Sequence, residues 1–309
     1  MAAFLSILLL AVTFFCIVSL ASLSGLFSEK SGIVNIGIEG MMIVGATVYG
    51  MLSHILKISN AWMQIPLLIA SGLITGLFAM LHGFVTIKLK GDHIISGVAI
   101  NLLAPALSIF LLKLVGDANK FNSNVKELAA SVNTINDPLN IISLKVVVVI
   151  VIFVVAIVML RYTKWGIRFK AIGENPQAAD VAGINVNFFK WQGVVISGMI
   201  AGVAGGIFFQ WRGGSFAGTA EGIGFLALTI LIMGQWKPAF VFIFASLFAV
   251  IYSTAANFSI GQGVFKDFAA YGYLFNTIPF VATLLILMFT SKKSLAPAAL
   301  GQPYDKSKR

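Results

Sequence analysis

Nine apolar runs, most of them long enough to cross a bilayer, dominate the sequence: 3–26, 33–56, 61–87, 94–115, 144–161, 191–210, 222–234, 238–257 and 273–290. A helix needs about 20 apolar residues to traverse a hydrocarbon core of roughly 30 Å, where every backbone N–H and C=O must be satisfied without water. Runs of this length commit the chain to an all-α, polytopic bundle of nine or ten membrane helices rather than a barrel. Composition agrees, with 59% of residues hydrophobic and 10% charged, where a soluble globule carries about a quarter charged. The formal charge of +10 does not point to nucleic acid, because the basic residues fall between apolar runs and form no stripe interleaved with aromatics. Cys16 is the only cysteine and lies inside an apolar run, so it supports no internal disulfide or thiolate metal cluster and reads as packing. Residues 2–27 lack a basic leading region and exceed a signal peptide's apolar core, so they read as an uncleaved membrane helix.

Lys and Arg in short loops set the expected orientation. Arg161, Lys164, Arg168, Lys170 and Lys190 place the polar island 161–190 on the cytoplasmic side, and Lys292, Lys293, Lys306, Lys308 and Arg309 place the tail there too. Four runs lie between them, so the parity is consistent. Lys88 and Lys90 then fall inside, and the loop 117–143 falls outside. The chain divides into a transmembrane unit, 1–290, and a cytoplasmic tail, 291–309, expected to lie extended along the inner surface. The amino end stays open. Five runs before the island leave Met1 outside, whereas an extra crossing hidden between Ser24 and Gly45 brings it inside.

That stretch is broken by Gly25, Gly32, Gly37, Gly40 and Gly45 and carries Glu29, Lys30, Asn35 and Glu39 at or near membrane depth. A similar interruption, WRGGSFAGTAEGIG, follows the island. Glu39-Gly40 and Glu221-Gly222 each precede an apolar helix at the start of a half of the chain. Paired broken segments of this kind point to a transport path between inverted repeats. Gly198, Gly202 and Gly206, and Gly72 and Gly76, recur every four residues, a spacing that lets helices approach closely within one chain or between subunits.

Catalytic signatures are missing: no HExxH, GxSxG or P-loop, and no Cys/His cluster with metal-ligand spacing. His54, His82 and His93 are isolated in sequence, and His82 reads as a hydrogen-bond partner to a neighbouring helix. Glu39 is the one serious ionisable candidate in the core, either as a functional carboxylate or as one paired with Lys30 or capping a helix start. Asn35, Asn101, Gln210, Gln235 and Asn257 either line a hydrated path for a neutral polar solute or bond between helices. A few of the 26 phenylalanines are able to stack on a flat substrate.

The island, RYTKWGIRFKAIGENPQAADVAGINVNFFK, contains one short helix with clear ends. Asn175 is a good N-cap, Pro176 suits the first helical position, and Gly183 supplies a left-handed turn after Ala182. A helix of about two turns does not persist alone in water, so its face of Ala178, Ala179, Val181 and Ala182 must be held by the rest of the chain or by a partner.

SEKSGIVNIGIEGMMIVGA, GDHIISGVAINLLA, GENPQAADVAGI and SLAPAALGQPYDKSKR together resemble the permeases of ATP-binding-cassette importers in the branched-chain amino acid, ribose and nucleoside group. The similarity covers essentially the whole chain and is closest to the smaller permease of bacterial nucleoside importers. It implies a type II importer fold, usually counted as ten helices, in the bacterial plasma membrane. It also implies a path at the interface with a second, larger permease, an extracellular substrate-binding lipoprotein, and a cytoplasmic ATPase that carries ATP and Mg; this chain holds no cofactor of its own. On this likeness Gly173, Glu174, Asn175, Pro176, Ala178, Ala179, Asp180 and Gly183 belong to a coupling element that enters a groove on the ATPase, with Glu174 and Asp180 facing its basic residues and Ala178 and Ala179 allowing close approach. Asn35, Glu39, Asn101 and Glu221 are the candidates for the substrate path. Simple sugars and branched-chain amino acids are the competing substrates. An ion-coupled carrier is the rival of another class, and a membrane enzyme or scaffold would leave the capped island without a task.

Overall fold

The computed structural model describes residues 2–130, 138–260, 271–290 and 295–306. Lys292, Lys293, Lys308 and Arg309 of the basic tail lie outside them, as does 131–137 of the loop 117–143. Each of the nine apolar runs contains a helix: α1 (Ala2–Lys30), α2 (Ile38–Ile55), α3 (Gln64–Gly83), α4 (His93–Val115), α5 (Leu144–Tyr162), α8 (Val186–Arg212), α9 (Ile223–Met233), α10 (Pro238–Ile260) and α11 (Gly272–Thr290). The island contributes α6 (Lys164–Glu174) and α7 (Pro176–Val181). No tenth apolar helix occurs among the described residues. Between Ser24 and Gly45 the chain makes no extra crossing: α1 continues to Lys30, residues 31–37 are non-helical, and α2 follows.

Two faces of the bundle follow from the contacts. Lys30 and Gly32 lie against Gly173 of the island, and Trp236 after α9 donates its indole N–H to Glu29 at 2.5 Å. These ends share the island face. The other ends of α2 and α4 meet on the far face, where His54 Nε2 reaches the Val115 carbonyl at 3.1 Å. Ser6 of α1 bonds Asn257, near the end of α10, at 3.0 Å, so the start of α1 stands on the far face. The parity without a hidden crossing is the one realised.

Helices α1 and α8 pack against each other at the centre; α8 carries α2 and α3, while α1 carries α9 and α10. The close approach depends on absent side chains. A Cβ on Gly45 or Gly205 would strike the backbone of Gly202 or Met42 across the α2–α8 contact. The glycine stripes of α3 and α8 face one another, with Gly76 against Met199 and Gly198 against Ala79 and Thr75. Small residues at this spacing gain van der Waals contact where lipid supplies no hydrophobic drive.

The halves run in opposite senses. Helix α1 points toward the island face and α2 away from it, whereas α8 points away and α9 returns. The lead-in to α2, residues 31–37, enters from the island face; the lead-in to α9, residues 213–222, enters from the far face. Helix α9 has 11 residues, about 16 Å at 1.5 Å per residue, roughly half of the hydrocarbon thickness. Its lead-in, one 3-10 turn (Gly213–Ser215) followed by non-helical residues 216–222, makes up the rest of the crossing.

Candidate functional site: the junction of two broken spans and the island

The starts of α2 and α9 meet through Glu39 and Gly224, and Asn35, just ahead of α2, bonds Ser197 near the middle of α8. Non-helical backbone at that depth survives only if its polar groups are satisfied by protein. Val34 is served by two histidines: its N–H donates to His93 Nδ1 at 3.3 Å and its carbonyl lies 3.0 Å from His82 Nε2. His82 Nδ1 is in turn 2.8 Å from the Ser96 hydroxyl. Asn101 on α4 donates from Nδ2 to the Ile36 carbonyl at 2.9 Å and accepts from the Gly40 N–H at 2.8 Å. It thereby caps α2 from outside, since Gly37 at the N-cap has no side chain for the task.

Glu39, in the first turn of α2, caps the other broken helix. Its carboxylate accepts from the Gly222 N–H at 2.8 Å and the Gly224 N–H at 2.6 Å. Glu221 and Gly222 are both left-handed, at φ of 57° and 82°, and this turn brings the first amides of α9 to the carboxylate. A negative group at a helix start also meets the positive end of the helix dipole. A Cβ on Gly224 would overlap the Glu39 backbone, and one on Gly40 would overlap the Ile100 carbonyl. The run NIGIEG is thus a set of contacts: Asn35 Nδ2 donates to the Ser197 hydroxyl at 2.9 Å, Gly37 and Gly40 admit α4, and Glu39 holds α9.

Asn35, Glu39 and Asn101 lie around the start of α2: Glu39 and Asn101 bond backbone groups, and Asn35 Nδ2 bonds Ser197 while its Oδ1 is buried without a hydrogen-bond partner among the described residues. Glu39 is the helix-capping carboxylate, with its two hydrogen bonds made to the start of α9. Glu221 stands apart. It pairs with Arg212, whose guanidinium lies 5.4 Å from the Trp211 ring centroid. With Gly222 it lines a cavity of about 230 Å³ walled by Phe14, Tyr252, Leu226 and Phe280. Phe14 and Tyr252 stack with parallel rings. Sequence reading missed this aromatic wall, since Phe14 and Tyr252 lie in apolar runs with nothing to separate them from packing residues. Gln210 bonds the Tyr49 hydroxyl at 2.6 Å, and Asn257 accepts from Ser6, so these neutral polar groups join helices.

The island is more structured than a basic loop with one short helix. Thr163 caps α6, accepting from the Gly166 N–H at 3.0 Å, and α6 buries Phe169 and Ile172. Asn175 caps α7, accepting from the Ala178 N–H at 3.0 Å. Gly183, at φ 80°, closes the helix with paired bonds from Gly183 N–H to the Asp180 carbonyl and from Ile184 N–H to the Ala179 carbonyl. This is the doubly bonded glycine ending expected of a fully capped helix.

The eight candidate coupling residues do not share one surface. Pro176 and Ala179 are buried, and Gly173 is enclosed, with a Cβ there striking the Lys30 carbonyl. Glu174 accepts from the Ala298 N–H at 3.3 Å, which turns its carboxylate to this chain's own tail. The outward face consists of Gln177, Ala178, Val181, Ala182 and Gly183, with Val181 76% exposed. Ala179 and Gly173 thus pack this chain, and only Ala178 of the alanine pair is presented outward. Asp180 lies between, bordering grooves on either side of α7.

No metal-binding group of three or more His, Cys, Asp or Glu occurs among the described residues. Residues 7–284 match the family model described as branched-chain amino acid transport system / permease component. The chain is 35% identical to the nucleoside ABC transporter permease protein NupC of Lactococcus lactis subsp. cremoris, over 93% of this chain and 92% of that one. It is 32% identical to the guanosine ABC transporter permease protein NupQ of Bacillus subtilis, covering 94% and 93%. A second L. lactis protein, the nucleoside ABC transporter permease protein NupB, is 24% identical over 86% of this chain and 78% of its own length. No solved structure matches the chain. The family match spans all nine apolar helices in whole or in part, and the chain belongs to the branched-chain amino acid transport system permease family, as a multi-span membrane permease component of an ABC transporter.

Proposed function

We propose that this permease forms half of the translocation path of an ATP-driven nucleoside importer in the bacterial plasma membrane. The observation that carries the coupling half of this reading is α7, fully capped at both ends, held by the chain on one face and presenting an apolar face on the other. Such a face needs a partner, and a cytoplasmic ATPase with ATP and Mg supplies both the partner and the energy that this chain has no motif to provide. The substrate class comes from the names of the two relatives that cover more than nine tenths of the chain. The occurrence of two matching permeases in L. lactis supports a second, paralogous permease across the path. Arg161, Lys164, Arg168 and Lys170 on the island favour its placement toward the cytoplasm, with a substrate-binding lipoprotein on the opposite side.

In this reading the nucleoside enters from the far face, past Glu221 and the aromatic cavity. Phe280 and Tyr252 offer stacking surface to the base, and the Glu221 carboxylate accepts hydrogen bonds from N–H or hydroxyl groups. ATP-driven closure of the ATPase moves α7 and, through the bundle, the two broken spans. Val181→Arg tests the docking assignment: the variant should insert and melt like wild type while ATPase co-purification falls at least about tenfold, in the range of coupling energies of a few kcal/mol. Full retention of the ATPase by Val181→Arg would refute docking through α7.

A further inference from the structure

The run PAALGQPYD near the chain end has no part in the path or in α7, yet it folds into a defined turn. Leu300 N–H donates to the Pro297 carbonyl at 3.0 Å and Gln302 N–H to the Ala299 carbonyl at 3.2 Å. Gly301 sits at φ 78°, and Ala299 and Tyr304 are buried. This is not a segment lying extended along the surface.

Its contacts reach four connections of the island face. Leu295 N–H donates to Gln235 Oε1 in the α9–α10 turn at 2.9 Å. Ala299 N–H donates to the Gly173 carbonyl at the end of α6 at 2.9 Å, and Gly301 N–H to the Gly32 carbonyl in the lead-in to α2 at 3.1 Å. Asp305 pairs with Lys90, in the α3–α4 turn, at 2.9 Å. Tyr304 and Lys306 then form a wall of the grooves on both sides of α7. With the Ala298 N–H to Glu174 bond, four of the five anchors are hydrogen bonds donated by the strap's backbone N–H groups, so they hold the segment's conformation as well as its position.

Both broken spans are gripped in this way: α2 through Gly32 at its lead-in, and α9 through Gln235 at its end. Glu39 joins the same two spans at mid-depth. We propose that the C-terminal segment Leu295–Lys306 is a positioning strap that fastens the island to the two broken spans, so that displacement of α7 moves both of them together. Without the strap, α7 still docks, but its movement is not passed on. This inference rests on the importer reading above.

The test uses the full complex of both permeases, the ATPase and the loaded binding protein in proteoliposomes. It compares Ala299→Pro, which removes the N–H donated to Gly173, with Gly301→Val, which is strained at a left-handed position and presses on Val34. The readouts are yield of assembled complex, ATP hydrolysis, and nucleosides imported per ATP. Expected is assembly within about twofold of wild type, with imported nucleoside per ATP reduced about tenfold in both variants, a coupling loss of ordinary allosteric size. A wild-type ratio in either variant overturns the strap, and so does failure of the complex to assemble, because the segment would then serve docking or folding rather than transmission. A wild-type complex with no ATP-dependent nucleoside uptake overturns the importer reading itself, a separate outcome.

Discussion

Glu39 shows how one side chain fixes a membrane protein's interior. It accepts two backbone N–H bonds from a helix that begins about 180 residues later in the chain. Hydrogen bonds to a charged acceptor contribute roughly 1.5–3 kcal/mol each, and a donor left bare inside the bundle adds its desolvation cost. Glu39→Ala should therefore lower the stability of the purified permease by about 3 kcal/mol or more, read as an earlier melting transition in detergent. Glu39→Gln keeps one acceptor but turns an amide N–H toward a donor, and should fall between Ala and wild type. Asn101 serves as both donor and acceptor, to Ile36 and Gly40. Asn101→Asp keeps the acceptor but sets a carboxylate against the Ile36 carbonyl, so it should destabilise more than Asn101→Ala in the same melting assay.

At the level of elements, the capped helix and the broken spans differ in how readily they were read. The α7 signals are local: Asn175, Pro176 and Gly183 act on groups within a few residues, and the ends fall where the sequence places them. The helix α6 is harder to see, because its four charged positions, Lys164, Arg168, Lys170 and Glu174, mask a buried face of Phe169 and Ile172. The junction was legible only as a pair of interruptions. That His82 and His93 serve one residue, Val34, and that Asn101 caps α2, depends on contacts across separations of 48 to 61 residues, which no local pattern encodes. The role of Glu39 was visible as a choice between capping and ion pairing, but not the helix it caps. A local prediction follows for α7: Asn175→Ala should cost about 1 kcal/mol of local helix stability. It should raise hydrogen exchange of the Ala178 and Ala179 amides while leaving the melting of the bundle unchanged.

Across the whole molecule, the inverted course of the two halves gives each face one lead-in that interrupts the α-helical spans, and the two lead-ins converge on the Glu39 junction. Transporters built from inverted repeats alternate access by rocking one part of the bundle against another about a central site. The cavity at Glu221 opens beside the start of α9, so movement of that helix changes the cavity directly. Its aromatic wall and the tail's attachment to the island emerged only from the folded chain, since both join segments from opposite ends of the sequence. The role proposed for this permease is within an ATP-driven nucleoside importer. The most direct test is uptake of labelled guanosine into proteoliposomes holding the full complex, with ATP supplied on the island side. Uptake should require ATP and both permeases and persist when ionophores collapse proton and sodium gradients. Uptake by this chain alone that disappears with either gradient and is indifferent to ATP would contradict this role.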